Sequence, residues 1–367
     1  MTLTTAEAVA QLDLPDYLGQ RSATFRFRLV NAVTGLILSD LTPLRDTAPT
    51  LSHDTTRTIK RQVQGFTLGI EDTARVNTIQ SRVLISMVIG EREWPLGRYM
   101  FADNTRALTT RGRISGSVLY DEMFIVDQQM EHSYAPSVIT DSSGNVTSFT
   151  NSAVSVEALL SGLSVSVLIE PTPYYTIAAW PAGTARGSAL EQLAIDGDWF
   201  SPWFDNTGVM RFIRAFDPVA SVPTMDLDVG NRVLRNSILE ADDLITAPNR
   251  FIVISNGAIS ESNAAVPLVG SYDVPSSAPH SITNRGFVIP SVNDRQLDTQ
   301  AQCQAAAVNL GLRQTVFERV ELMTPPDPRH DSYDVLRWQG ENWLELAWTL
   351  PLVEGGAMSH ILRKAYE

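Results

Sequence analysis

The sequence predicts a mainly β protein with α+β insertions, on three observations. Residues 23–129 alternate apolar and polar side chains in short runs separated by turn signals. Residues 315–367 read as strand, proline-punctuated crossing, strand, tight glycine turn and strand. Between them, residues 150–220 change character to short helices and a hairpin. Period-two alternation puts one face of a strand in a core and the other in water or against a partner. Several such strands at hairpin spacing read as a barrel or sandwich.

Taken in order, residues 1–17 carry a short helical pattern (Ala6, Val9, Ala10, Leu12) that stops before Pro15, an arm rather than a core element. The first β unit spans residues 18–130. Its strands are 24–30, 36–38, 57–63, 78–89, 98–101 and 114–120, with turns at Asn31 to Gly35, Gly90 and Asp103-Asn104. Residues 135–152 form a polar boundary loop inside a small α+β unit, 131–230. In that unit 155–160 is helical, and Ser188 to Glu191 has the form of a capping box, with Leu190, Leu193 and Ala194 as the buried stripe and Gly197 as the stop. An Asp205-Asn206-Thr207-Gly208 turn then joins two strands. A further strand, 249–255, precedes a Ser/Asn/Pro-rich excursion, and residues 298–312 form a helix capped by Asp298.

The chain has 367 residues, 44% apolar and 19% charged, so it folds as two to four domains. No apolar run approaches the roughly 20 residues of a membrane-spanning helix, and the N-terminus lacks the form of a signal peptide. No membrane insertion is therefore expected. A net charge of −13 disfavours sequence-specific nucleic-acid binding. The single cysteine, Cys303, rules out an internal disulfide and reads as a buried helix residue.

Catalytic motifs are not recognisable: there is no phosphate-cradling glycine loop, zinc-protease helix or nucleophile elbow. The histidines His53, His132, His280, His330 and His360 stand singly, in hydrogen-bonding or solvent-facing roles, and no cofactor or metal is expected. Asp226/Asp228 and Glu240/Asp242/Asp243 read as turn carboxylates. A polysaccharide hydrolase or carbohydrate-binding module, with Trp199 and Trp203 as its platform, is the alternative reading.

Three stretches together carry a resemblance. They are 94–101 in the first β unit, the helix-plus-hairpin block at 190–194 and 204–212, and the C-terminal run 320–335 with its Pro325-Pro326-Asp327-Pro328 crossing. The pattern resembles the hub proteins of bacteriophage tails, the baseplate-hub or tail-associated family of siphophage tail tips and contractile-tail baseplates. The resemblance implies two tail-tube-like β-barrels, one at 18–130 and one combining 231–256 with 313–367. Residues 257–312 would be an inserted domain. It further implies a structural, non-enzymatic homotrimer at the distal end of the virion tail, assembled in the host cytoplasm. Its ring would join the sixfold tail tube or distal tail ring to other tip and fibre proteins and surround the DNA channel. On this reading Phe25, Phe27, Arg57, Ile59, Arg61, Val316, Val320, Trp338, Trp343 and Trp348 are the candidate interface residues.

Overall fold

The computed structural model describes residues 23–364, except 45–47, 110–111, 141–145, 177, 231, 235–236, 243–244, 256–266, 296, 298 and 315–317. The expected N-terminal arm, Asp298 and Val316 lie outside the described residues.

The first β unit comprises β1 (Ala23–Asn31), β2 (Ile37–Leu41), β3 (Thr50–Asp54), β4 (Arg61–Leu68), β5 (Ser81–Ile89), β6 (Arg92–Thr109) and β7 (Gly112–Tyr120), with helix α1 (Ile70–Arg75) between β4 and β5. Alternation organises it as expected. In β5 and its partners, Phe27, Leu29, Val83, Ile85, Met87 and Tyr99 point into one core. The strands differ from the sequence reading in four places. Residues 57–60 form a turn rather than the start of β4, and residues 78–80 a turn rather than the start of β5. The expected turn at Asp103-Asn104 is not formed, because β6 runs on to Thr109 with only a register shift after Phe101. Strand β3 has no counterpart in the sequence reading, because Thr-Leu-Ser-His-Asp has almost no apolar signature.

The C-terminal strands are β18 (Glu318–Thr324), β19 (Val335–Trp338), β20 (Glu341–Pro351) and β21 (Met358–Lys364), joined by β13 (Met225–Asp226) and β14 (Leu239–Asp242). Strands β19 and β20 meet at a tight turn in which Gln339 and Gly340 both take positive φ, as a type I′ hairpin requires. The Asp228 carboxylate accepts the Gln339 and Gly340 N–H groups.

These two sets do not close separately. β20 pairs antiparallel with β3, Trp348 opposite His53 and Leu350 opposite Leu51. The result is one 13-stranded sheet in the order β14-β18-β21-β20-β3-β4-β7-β6-β5-β1-β2, with β19 and β13 branching from β20. No closed barrel is found among the described strands. Leu350, Leu352 and Met358 share a core with the first unit, so each set completes the other's burial.

Strand β15 (Arg250–Ser255) corrects the expected second barrel. It is the centre of a separate three-stranded sheet, between β16 (Leu268–Asp273) and β17 (Pro290–Asp294). Both its backbone edges are thereby occupied, and the large sheet cannot pair with it. Short helix α5 (Ile282–Arg285) precedes β17, and helix α6 (Gln300–Gln314) covers this sheet and buries Cys303, Ala307 and Leu310 against Phe251 and Val253. Its start is a Thr299–Gln302 capping box. The Gln302 N–H donates to Thr299 Oγ1 and the Thr299 N–H to Gln302 Oε1.

The α+β unit holds α2 (Met123–Val126), α3 (Ser152–Leu160), α4 (Arg186–Asp196), β8 (Val138–Thr140), β9 (Val146–Phe149), β10 (Ser166–Ile169), β11 (Trp203–Phe204) and β12 (Val209–Phe212). Leu190, Leu193 and Ala194 form the expected buried stripe, and Gly197 is the C-cap. The capping box is not formed, because α4 starts two residues before Ser188. Glu191 instead faces Lys60 and Ser201.

Candidate functional site

One row of side chains crosses five strands of the large sheet. Leu322 on β18 stands opposite His360 on β21, His360 opposite Trp348 on β20, Trp348 opposite His53 on β3, and His53 opposite Arg61 on β4. All five are buried. The row exists because β20 carries a bulge between Glu345 and Ala347. The extra residue, Leu346, gives its carbonyl to the Thr55 N–H. It also shifts the side-chain phase, so Trp343 and Glu345 before it and Trp348 and Leu350 after it are buried.

Residues 325–334, the proline-rich crossing between β18 and β19, lie over this row as a strap. His330 on the strap stacks obliquely on His360, with ring centroids 4.6 Å apart. Its Nδ1 lies 2.8 Å from one Glu345 oxygen, and His360 Nδ1 lies 2.6 Å from the other. Ser332 Oγ meets His53 Nε2 at 3.0 Å. Asp331 accepts from Arg61 and from the Trp203 indole N–H, the latter at 3.0 Å. The Arg61 guanidinium also donates to Asn206 Oδ1 and sits 5.7 Å from the Trp348 ring centroid. Asn206 in turn donates to the His330 carbonyl at 3.0 Å. Arg61 thus ties the first β unit, the β11–β12 turn and the strap together.

Asp205 shapes that turn. Its carboxylate accepts from the Thr207 and Val209 N–H groups and from Arg211. Burial opposes the charge, but these donors hold the Asp205 carboxyl below the usual range. Elsewhere burial prevails. It pushes the His53 imidazole well down, reinforced by Arg61, and leaves it neutral. It pushes Asp334 up to about 7, helped by the Glu345 charge. Burial also depresses His330, but Glu345 more than offsets this and raises it overall.

Of the candidate interface residues, Phe27, Arg61, Val320, Trp338, Trp343 and Trp348 are buried within the chain and build its own cores. Phe25 and Ile59 are partly buried and Arg57 is exposed. Trp199 and Trp203 are also buried, at 0% and 3% exposure, so neither offers a face for stacking a sugar. His132 is the one exposed histidine of the five. The signal for the cluster was present in the sequence: Glu345 and His360 occupy inward positions of apolar strands. Pairing between strands remote in sequence is what assembles it.

A second polar centre lies at the end of α4, where Asp196 accepts from Thr176 and Gln192. It borders a cleft shared with Arg295, Gln302 and Asn309 that has room for about one water molecule. Burial raises the Asp196 carboxyl to about 6, against its two hydrogen bonds. The unfolded chain therefore holds fewer protons than the fold between pH of about 4 and 6, and stability falls as pH rises through that window. Asp196→Asn is expected to remove this loss. Urea unfolding at the two ends of the window should show a gap between variant and wild type that opens toward neutral pH, to at most about 3 kcal/mol.

No protein-family model and no curated protein sequence matches the chain. Solved structures do. A tail protein from Neisseria meningitidis superposes with a TM-score of 0.57 at 12% identity, covering 93% of this chain and 97% of that one. A tail protein of prophage MuSo2 from Shewanella oneidensis also gives 0.57 at 12% identity, covering 93% and 98%. A prophage tail protein from Listeria monocytogenes gives 0.57 at 8% identity, covering 92% and 94%. The chain therefore has the fold of phage tail proteins over nearly its whole length.

Proposed function

We propose that the protein is a structural, non-enzymatic component of a phage tail, a hub whose three copies close a ring around the DNA channel at the tail's distal end. The observation that carries this reading is the end-to-end correspondence of fold with the three tail proteins.

The large sheet supports the ring. Among the described residues, its two terminal strands, β2 and β14, each pair on one side only. Unpaired edges are normally blunted with charge, proline or a covering element. Here Leu36, Ile37 and Leu38 are 67%, 57% and 54% exposed at one edge, and Ile238 and Leu239 are 46% and 61% exposed at the other. Two different apolar edges on one chain suit a head-to-tail interface, which closes into a ring when the rotation between copies allows. Partly exposed Phe25 on β1, next to β2, extends the first edge, and Arg57 and Ile59 remain surface candidates. The tail tube or distal tail ring and the tip and fibre proteins would then dock above and below. A chain of charge −13 suits a conduit that lets DNA pass without holding it.

Native mass spectrometry of the purified chain should show a three-chain species. Ile37→Lys with Leu38→Lys should convert it to monomer while leaving the melting temperature nearly unchanged, since both positions are exposed. A wild-type chain that stays monomeric at high concentration, alone and with the tail tube, overturns the ring.

A further inference from the structure

Two imidazoles and one carboxylate converge beneath the strap. His330, Glu345 and His360 are all buried, and their ligand atoms lie within 4.8 Å of one another. Both imidazoles turn Nδ1 toward the Glu345 carboxylate, His330 at 2.8 Å from one oxygen and His360 at 2.6 Å from the other. The Nε2 of His360 lies 2.8 Å from Thr324 Oγ1, and that hydroxyl is 3.0 Å from the Pro325 carbonyl. When Thr324 donates to Pro325 it accepts from His360, so that Nε2 carries the ring N–H and Nδ1 offers its lone pair toward Glu345, the tautomer a cation between them requires.

We infer that His330 Nδ1, His360 Nδ1 and the Glu345 carboxylate form a binding site for a divalent transition-metal cation of the zinc class. Two nitrogen ligands and one carboxylate are a donor set that zinc favours, with bonds of about 2.0–2.2 Å. Ligand atoms on a tetrahedral zinc stand roughly 3.3 Å apart, so His330 and His360 need to withdraw from Glu345 by about half an ångström. Thr324 already provides the outer hydrogen bond that fixes a ligating histidine in its tautomer. The ligands come from three places, the strap, the β20 bulge and β21, and a cation held there would pin the strap onto the sheet. The site is independent of whether three copies form a ring.

The test uses the full-length chain, stripped with chelator and refilled. One zinc per chain should bind, by calorimetry and by elemental analysis after gel filtration, and should raise the melting temperature. Cobalt should give the intense visible absorption of a four-coordinate site. His360→Asn and Glu345→Gln should abolish that absorption, whereas His53→Asn, which keeps all three ligands, should retain it. The inference is overturned if wild-type protein binds no zinc and shows no thermal shift, leaving a proton alone between His360 and Glu345. It is equally overturned if folded His360→Asn and Glu345→Gln, checked by circular dichroism, keep the cobalt spectrum. The wild-type measurements decide the matter even if those variants fail to fold.

Discussion

Arg61→Ala is expected to destabilise the protein by about 3 kcal/mol, measured by urea unfolding. The guanidinium is 1% exposed and donates to Asp331 and Asn206. Burial alone disfavours its charge, and Asp331, with other carboxylates around it, restores it. Removing one member of a buried ion pair costs about 3–5 kcal/mol, because the partner is left uncompensated. The lower end applies here, since Asp331 is only partly buried and keeps the Trp203 and Ser332 N–H donors. Arg61→Lys should recover little, because one ammonium cannot reach acceptors on the strap and on the β11–β12 turn in the planar fork that arginine presents. Combining Arg61→Ala with Asp331→Ala should cost less than the two single losses added together, as expected for residues in one network. Full additivity would mean that Arg61 acts by packing on Trp348 rather than through the pair.

The network was only partly legible in the sequence, and the reason is topological. The strands of the first unit show through because each alternates over its own length, as at Phe25, Phe27 and Leu29. The apolar run of β15 was equally visible, but nothing local says which sheet receives it. Its burial pattern would satisfy either, and the choice rests with β16 and β17, which occupy both of its edges. Strand β3 was missed because its strandness comes from its neighbours: His53 is an inward residue only when Trp348 and Arg61 flank it. The histidines looked isolated for the same reason. His330 and His360 lie 30 positions apart and meet because the strap doubles back over β21. Of the carboxylates read as turn residues, Asp228 does lie in a turn, where it accepts from the remote Gln339 and Gly340 N–H groups, whereas Asp226 lies on β13 and Glu240 and Asp242 lie on β14.

Gly270→Ala is expected to cost about 3 kcal/mol, the upper end for overpacking, and to make the small sheet self-associate. A Cβ at Gly270 would fall 2.0 Å from the Cys303 carbonyl oxygen and 2.6 Å from the Gln304 nitrogen, both backbone atoms of α6. No rotamer change relieves such a clash, so the helix itself must move. That helix does more than cover the core. Gln300 Nε2 donates to the Val269 carbonyl at 2.8 Å, and Gln304 Nε2 donates to the Ser271 carbonyl at 2.8 Å. The Val269 and Ser271 N–H groups point at the same two amide oxygens. Two glutamines one helical turn apart therefore imitate a neighbouring strand along the free edge of β16, and Gly270 between them permits the close approach. Displacing α6 reopens that edge, so size-exclusion chromatography of Gly270→Ala should show higher-order species that wild type lacks under the same conditions. A variant that melts at the wild-type temperature and elutes unchanged would refute the role of the close contact. The contrast with the large sheet gives the result its weight. A helix closes the β16 edge, whereas among the described residues no element covers the β2 and β14 edges, as expected if those two edges are kept for other subunits.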